Sequence, residues 1–314
     1  MSDTIDLSIT IVSYNTLDLT RRCLQSIKVN TKRIKYEIWV VDNNSTDGSA
    51  DMIAREFPDV YLIRNSENKG LAAATNQGLE RSKGRYLMSL NSDTVVMPEA
   101  FDRLVQFMDE HPEVGAAIPK LVLPGGGKHP VFCGNPPTLK TELLGALAPL
   151  HRLIAEAALR SRYGQEVDLS QSQEVSCILW GTALIVRREI VEEIGLQDPC
   201  FFVYAEDVDW VMRIRKAGWK LYYVAEAEVV HYGGQSTKQA STRMLAQIHK
   251  SKCRLIQKHY GFLAGAILRA AYTVVWGLRL GKWVIVYLLN KQKREQARDR
   301  IVAIRAILVA VITY

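Results

Sequence analysis

From Leu7 to Asn91 short apolar runs alternate with helically spaced segments, and this alternation constrains the fold more than any other feature. "LSITIVSYN" reads as a buried strand and "LDLTRRCLQSIKV" as an amphipathic helix. "YEIWVVDN" is a second strand, and "SADMIAREF" is a helix with Ser49 or Asp47 placed to cap it. "VYLIRN", then "GLAAATNQGLERSK" ending at Gly84, then "RYLMSLN", continue the pattern. Such alternation means βαβ units and a largely parallel sheet, an α/β architecture. Ligands of open α/β sheets gather beyond the C-terminal ends of the strands. Those ends carry "SYN", "VDNNSTDGS", "NSENKG" and "NSDT", a set rich in Asn, Asp and Ser. No strand is followed by GxGxxG, and GxxxxGK[ST] is absent, which disfavours dinucleotide oxidoreductases and P-loop phosphotransferases. A nucleotidyltransferase would want a Gly-rich basic loop after the first strand, and "SYNTLDL" is not one.

Taken singly, the polar tips have structural explanations. Asp42 and Asp47 suit a turn that caps the next helix, Asp93 could cap a helix after Pro98, and His231 could be an ordinary hydrogen-bonded histidine. Farther along, "YAEDVDW" crowds Glu206, Asp207 and Asp209 into four positions. "EDVDWVMRIRKAGW" reads as a short helix with acids in its first turn, Arg213, Arg215 and Lys216 near its end, and Gly218 as its cap. Each end charge gains about 0.3–1 kcal/mol from the helix dipole. The crowding is therefore compatible with capping alone or with chemistry.

In their joint order these segments are specific. "TIVSYN", "VVDNNSTDGS", "NKGLAAATNQG", "LNSDT", "WGTALIVRR", "YAEDVDW" and "HYGGQS" resemble the GT-A-fold nucleotide-sugar glycosyltransferases of family 2, especially the rhamnosyltransferase-like branch. The likeness runs from about Leu7 to Ser236. It implies a pyrimidine pocket at Ser13, Tyr14, Asn15, Asp42 and Asn44, with the Asp42 carboxylate accepting the ring N3 hydrogen, as an acceptor-only group can. It implies a diphosphate site at Asn68, Gly70 and Asn76, where a helix begins, and counts Asn91 and Ser92 among the donor-binding residues. Asp93 corresponds to the ligand for Mg²⁺ or Mn²⁺, and His231 to a second metal ligand in some relatives; an imidazole favours Mn²⁺. Many relatives have an acid at both ends of the triplet that here reads Asn91-Ser92-Asp93. Asp207 corresponds to the catalytic base of a single displacement with inversion, with Glu206 orienting the acceptor or the base. Trp180 and Gly181 are either core or an acceptor-sugar platform.

The net charge of +7 is localised. Residues 262–314 hold nine Lys/Arg against two acids, so the body is neutral. The body offers no aromatic-basic platform for nucleic acid. "FLAGAILRAAYTVVWGLRLGKWVIVYLLN" is long enough to span a bilayer, but Arg269, Arg279 and Lys282 each oppose insertion by about 2.5–3.5 kcal/mol near a helix centre. Cations and aromatics fall on one arc, and Leu263, Ile267, Val274, Leu278, Ile285 and Leu288 on the other, as in a helix lying in the membrane surface. The expected organisation is a GT-A catalytic domain over 1–240 and a basic amphipathic helical region over 241–314. Five scattered cysteines without a CxxC pair suit a reducing compartment, and "MSDTIDLSIT" does not read as a secretory signal. With the resemblance, this implies an enzyme on the cytoplasmic face of a bacterial plasma membrane. It would move L-rhamnose from dTDP-L-rhamnose to a polyprenyl-diphosphate-linked glycan during surface polysaccharide assembly. A UDP-hexose or galactofuranose transferase, and a silent nucleotide-sugar-binding scaffold, are the alternatives.

Overall fold

The computed structural model describes residues 4–125, 133–150, 152–163, 168, 170–175, 178–179, 181–233 and 241–313. The alternation of the first hundred residues folds as its pattern requires. β1 (Leu7–Ser13), α1 (Leu17–Asn30), β2 (Tyr36–Asp42), α2 (Ser49–Glu56), β3 (Tyr61–Arg64), α3 (Leu71–Leu79) and β4 (Tyr86–Asn91) follow in turn. β1 lies between β2 and β4, and β2 pairs with β3, all parallel. β1 is buried along almost its whole length, as expected of a strand covered on both faces.

Beyond β4 the chain adds β5 (Thr94–Val96), α4 (Ala100–Glu110) and β6 (Val114–Val122). Three two-residue strands, β7 (Cys133–Gly134), β8 (Gln173–Glu174) and β9 (Ile178–Leu179), are followed by β10 (Ala183–Arg187) and β11 (Lys220–His231). Among the described residues the main sheet has nine strands, ordered β3-β2-β1-β4-β10-β6-β11-β5, with β8 on β11. β10 runs antiparallel between β4 and β6, and β5 antiparallel to β11. The sheet is therefore mixed though mostly parallel. The antiparallel insertion has a consequence for chemistry: the start of β10 meets the end of β4, so Gly181 and Thr182 reach the same sheet edge as Asn91. One core under this sheet joins Ile9, Ile11, Met88, Phe101 and Ile185. A second, on Trp210, Val211, Ile214 and Tyr223, anchors α7 (Arg188–Ile194) and α8 (Glu206–Lys216).

The chain divides into two compact units. The first comprises Met1–Gly134, Glu166–Phe202 and Glu206–Ser236, and the second Asn135–Gln165, Val203–Ala205 and Thr237–Tyr314. The second unit is helical: α5 (Leu139–Leu147), α6 (Arg152–Tyr163), α9 (Ser241–Tyr260), α10 (Phe262–Leu289) and α11 (Arg294–Ile312). Its own core holds Cys253, Ile256, Leu268, Tyr272, Ile307 and Val311.

Candidate active site

The pairing of β1 with β2 sets Ser13 beside Asp42 at the sheet edge. The Ser13 hydroxyl is turned to α1, 3.0 Å from Thr20 Oγ1, while Tyr14 remains accessible. Asn15, in the left-handed region with φ 52°, ties the two tips together. Its N–H donates to Ser45 Oγ at 3.0 Å and its Oδ1 accepts from the Thr46 N–H at 2.8 Å. Asn44, also left-handed at φ 68°, turns the loop. Asp42 is only 3% exposed. Its Oδ2 accepts the Ser45 N–H at 3.0 Å, whereas its Oδ1 is buried with no hydrogen-bond partner. The turn role foreseen for an aspartate here thus uses half of the carboxylate. A buried acceptor left unsatisfied costs about 1–3 kcal/mol, and a ligand N–H would relieve that.

Next to it lies a residue that sequence reasoning passed over. Asn43, 2% exposed, satisfies its whole amide. Nδ2 donates to Asn68 Oδ1 at 2.9 Å and to the Gly70 carbonyl at 3.2 Å. Oδ1 accepts from Asn65 Nδ2 and from the Lys69 N–H, both at 3.0 Å. Only an amide side chain has both the donors and the acceptor this needs; the signal in the sequence was merely an Asn adjoining Asp42. Asn68 Oδ1 also takes the Gly70 N–H at 2.9 Å, so the loop before α3 is pinned to the tip of β2. Gly70 has φ +85°, and a Cβ there would collide with the Phe202 backbone, whose carbonyl accepts the Leu71 N–H at 2.6 Å. The N-terminus of α3 carries no side-chain cap. Asn76 points elsewhere in α3: its Nδ2 donates to the Gln197 carbonyl at 2.7 Å.

Asn91 ends β4 and its N–H donates to the Thr182 carbonyl at 2.9 Å; Ser92 Oγ lies 3.1 Å from Thr16 Oγ1. Asp93 does not cap the following helix, whose N-cap is Glu99. Instead β5 and β11 pair Thr94 with His231, and this brings Asp93 Oδ1 within 3.3 Å of His231 Nε2. Two ligands about 2.1 Å from one ion and at right angles to each other stand about 3 Å apart, so the pair has the spacing of cis ligands. Among the described residues no group of three His, Cys, Asp or Glu could hold a metal. A cation at this pair would need oxygens from a substrate or water.

The α8 dipeptide lies across the same edge. Tyr204 and Ala205, both left-handed at φ 66° and 70°, lead into the helix. Asp207 Oδ2 accepts the Gly181 N–H and its Oδ1 the Val208 N–H, each at 2.8 Å. Gly181 is needed for this approach, since a Cβ on it would lie 2.8 Å from Asp207 Cβ. Glu206 is 5% exposed, and its Oε2 has no hydrogen-bond partner. Burial raises the Glu206 pKa well above the carboxylate range, and the Asp207 charge adds to this. Burial raises Asp207 as well, but the two N–H donors oppose it. Both carboxyls are thus pushed upward by burial, but only Asp207 has backbone N–H donors on both oxygens to favour its charged form, which sets the two environments apart. Asp209 is engaged otherwise, 2.9 Å from Arg213 Nε, and Arg213 in turn holds the Ile194 and Leu196 carbonyls. Trp180 lies outside the described residues.

Strand tips that carry a half-satisfied aspartate, a pinned loop, an Asp–His pair and a backbone-held aspartate thus share one sheet edge. Residues 8–195 match the family model described as Glycosyl transferase family 2. The chain belongs to that family. It is a glycosyltransferase with the GT-A fold. This family 2 glycosyltransferase is 29% identical over 268 residues to an N-acetylglucosaminyl-diphospho-decaprenol L-rhamnosyltransferase of Mycobacterium tuberculosis, covering 82% of this chain and 86% of that one. It shares its fold with a mannosyltransferase from Pyrobaculum calidifontis solved with GDP-Man and Mn²⁺. That likeness has a TM-score of 0.54 at 18% identity and covers 99% of this chain and 88% of the other. GalNAc-T7, solved with UDP, GalNAc and Mn²⁺, aligns with a TM-score of 0.55 at 19% identity over 82% of this chain and 48% of that chain.

Proposed function

We propose that this enzyme transfers L-rhamnose from dTDP-L-rhamnose to a hydroxyl of a glycan linked to a polyprenyl diphosphate, with inversion. The observation that carries the reading is the geometry of Asp207: two backbone N–H groups hold its carboxyl oxygens at the sheet edge, beside the buried Glu206. Such a carboxylate takes the proton of the acceptor hydroxyl as that oxygen bonds to the anomeric carbon. The bond from that carbon to the diphosphate oxygen breaks, and the nucleoside diphosphate leaves. A positioned base of this kind contributes about 10²–10⁴ in rate. Glu206, whose pKa burial raises, orients the acceptor.

Asp42 Oδ1 receives the N3 hydrogen of the pyrimidine, and Asn15 and Tyr14 shape the pocket around it. Asn68 and Gly70 position the diphosphate at the start of α3. Asp93 and His231 would hold Mg²⁺ or Mn²⁺, a group that supplies charge neutralisation at the leaving diphosphate when bound. The rhamnosyl donor and lipid acceptor are supported by the activity of the mycobacterial relative, and the metal by the Mn²⁺ in the two structural neighbours. A UDP-sugar donor is the second reading, because an N3 contact treats uracil and thymine alike.

Thermal shifts with dTDP, UDP and GDP, with and without Mn²⁺, test this directly. A ligand at about 100 times its dissociation constant adds about 2.7 kcal/mol. A Mn²⁺-dependent shift larger with dTDP than with UDP, and lost in Asp42→Asn, is the expected result. A larger shift with UDP moves the donor, and no shift with any nucleotide in folded protein refutes the enzyme reading of the pocket.

A further inference from the structure

Within the helical unit, α10 turns its aliphatic arc outward and packs its other side on neighbouring helices. Two aromatics of the opposite arc face α9: Tyr272 is buried and meets His249 edge-on at 4.8 Å, and Trp276 does so at 5.3 Å. Leu268 and Val275 are buried with them. The aliphatic arc is left outside. Leu263, Ile267, Val274, Leu278, Ile285 and Leu288 are 72, 41, 62, 62, 58 and 63% exposed. Their spacing keeps them within a stripe of about 100°, which at 1.5 Å per residue runs for about 38 Å. A continuous exposed apolar stripe of that length marks a surface that meets another phase or partner.

Charge at its margin says which. Lys282 flanks the stripe and is exposed. Immediately past Leu288 and Leu289 come exposed Lys291, Lys293 and Arg294. α11 then presents exposed Arg298, Arg300 and Arg305. Long cationic side chains beside an aliphatic face suit phosphate headgroups above acyl chains. Spanning is disfavoured by the packing: the inner face of α10 is occupied by α9, which carries Lys250, Lys252, Arg254 and Lys258, groups that do not belong in hydrocarbon. We infer that the aliphatic stripe of α10, bordered by the Lys291–Arg294 cluster, is a docking surface for an anionic bilayer, on which the helix lies lengthwise. The inference rests on the reading of a membrane-borne acceptor and names the surface that meets the membrane.

The test is flotation of the full chain with vesicles of phosphatidylcholine alone and of phosphatidylcholine with phosphatidylglycerol. The chain is expected to float with the anionic vesicles, at least about tenfold less with the neutral ones, and to be released as salt screens the cluster. Leu278→Glu/Ile285→Glu is expected to lose flotation by at least about tenfold, and Lys291→Gln/Lys293→Gln/Arg294→Gln to lose the preference for anionic lipid. Leu263→Glu/Val274→Glu serves if the first pair does not fold. The nucleotide-induced thermal shift should be unchanged in every variant, which separates failure of the surface from failure of the catalytic reading. Flotation unaffected by either glutamate pair would overturn the inference. So would wild-type protein that stays unbound but forms a dimer dissolved by those substitutions, which would assign the stripe to a second copy.

Discussion

Gly181→Ala tests whether the position of Asp207, rather than its mere presence, matters. The added Cβ would lie 2.8 Å from Asp207 Cβ and 3.2 Å from its Oδ2. Carbon atoms rest at about 3.5–4.0 Å, so the two groups must part by about 0.7–1.2 Å. The same movement stretches the 2.8 Å bond from the Gly181 N–H, one of the donors that oppose the effect of burial on Asp207. A displacement of about 1 Å at a reacting group costs about 10² in rate. Overpacking of this kind costs about 1–3 kcal/mol, or about 2–4 °C per kcal/mol for a chain of this size. Single-turnover transfer with purified protein should therefore fall about a hundredfold. Nucleoside diphosphate affinity, measured by calorimetry, should stay within about twofold, since Asp42 and Asn43 are untouched. Transfer within threefold of wild type in folded Gly181→Ala would refute the argument.

Two further outcomes follow from the same geometry. Because the Glu206 pKa is raised in the fold, its stabilising contribution is present below the ordinary glutamate range and is lost as pH rises through the folded value. Glu206→Gln should therefore gain thermal stability relative to wild type as pH goes from 5 to 8, and a gap that is flat or shrinks by calorimetry counts against a protonated Glu206. Asn43→Asp removes the donor to Asn68 Oδ1 and the Gly70 carbonyl and sets an acceptor against both. At about 1–3 kcal/mol for the lost satisfaction, the dissociation constant for nucleoside diphosphate should rise about ten- to a hundredfold with a smaller change in kcat; an equal fall in both kinetic constants' ratio through kcat alone would contradict the positioning role.

The parallel strands were legible because their side-chain periodicity is local, and the polar strand tips were legible because open α/β sheets gather ligands there. The partners of those tips were not. That Asp42 uses only one carboxylate oxygen depends on Ser45 folding back, and the bonds of Asn43 reach Asn65, Asn68 and Gly70 across a crossover. Likewise the resemblance implied Asp93 and His231 as metal ligands, but the contact between them depends on the antiparallel β5–β11 pair. Gly181 read as core or sugar platform; its use, a backbone N–H and an absent Cβ beside Asp207, depends on the antiparallel insertion of β10. The amphipathic period of α10 was plain in the sequence, but which arc faces inward depends on His249 of α9, a non-local partner. Asp209 and Arg213, by contrast, keep the helix role read from the sequence, and their pairing is local, one turn apart in α8.

The most direct measurement is the single-turnover transfer rate of Asp207→Asn with saturating donor and lipid-linked acceptor, beside its affinity for dTDP. The substitution keeps the side chain's size and removes the buried charge, so the protein should remain folded and bind nucleotide as wild type does. The account predicts a fall in transfer of about 10²–10⁴ with unchanged dTDP affinity. Transfer at the wild-type rate would contradict it and remove Asp207 as the base.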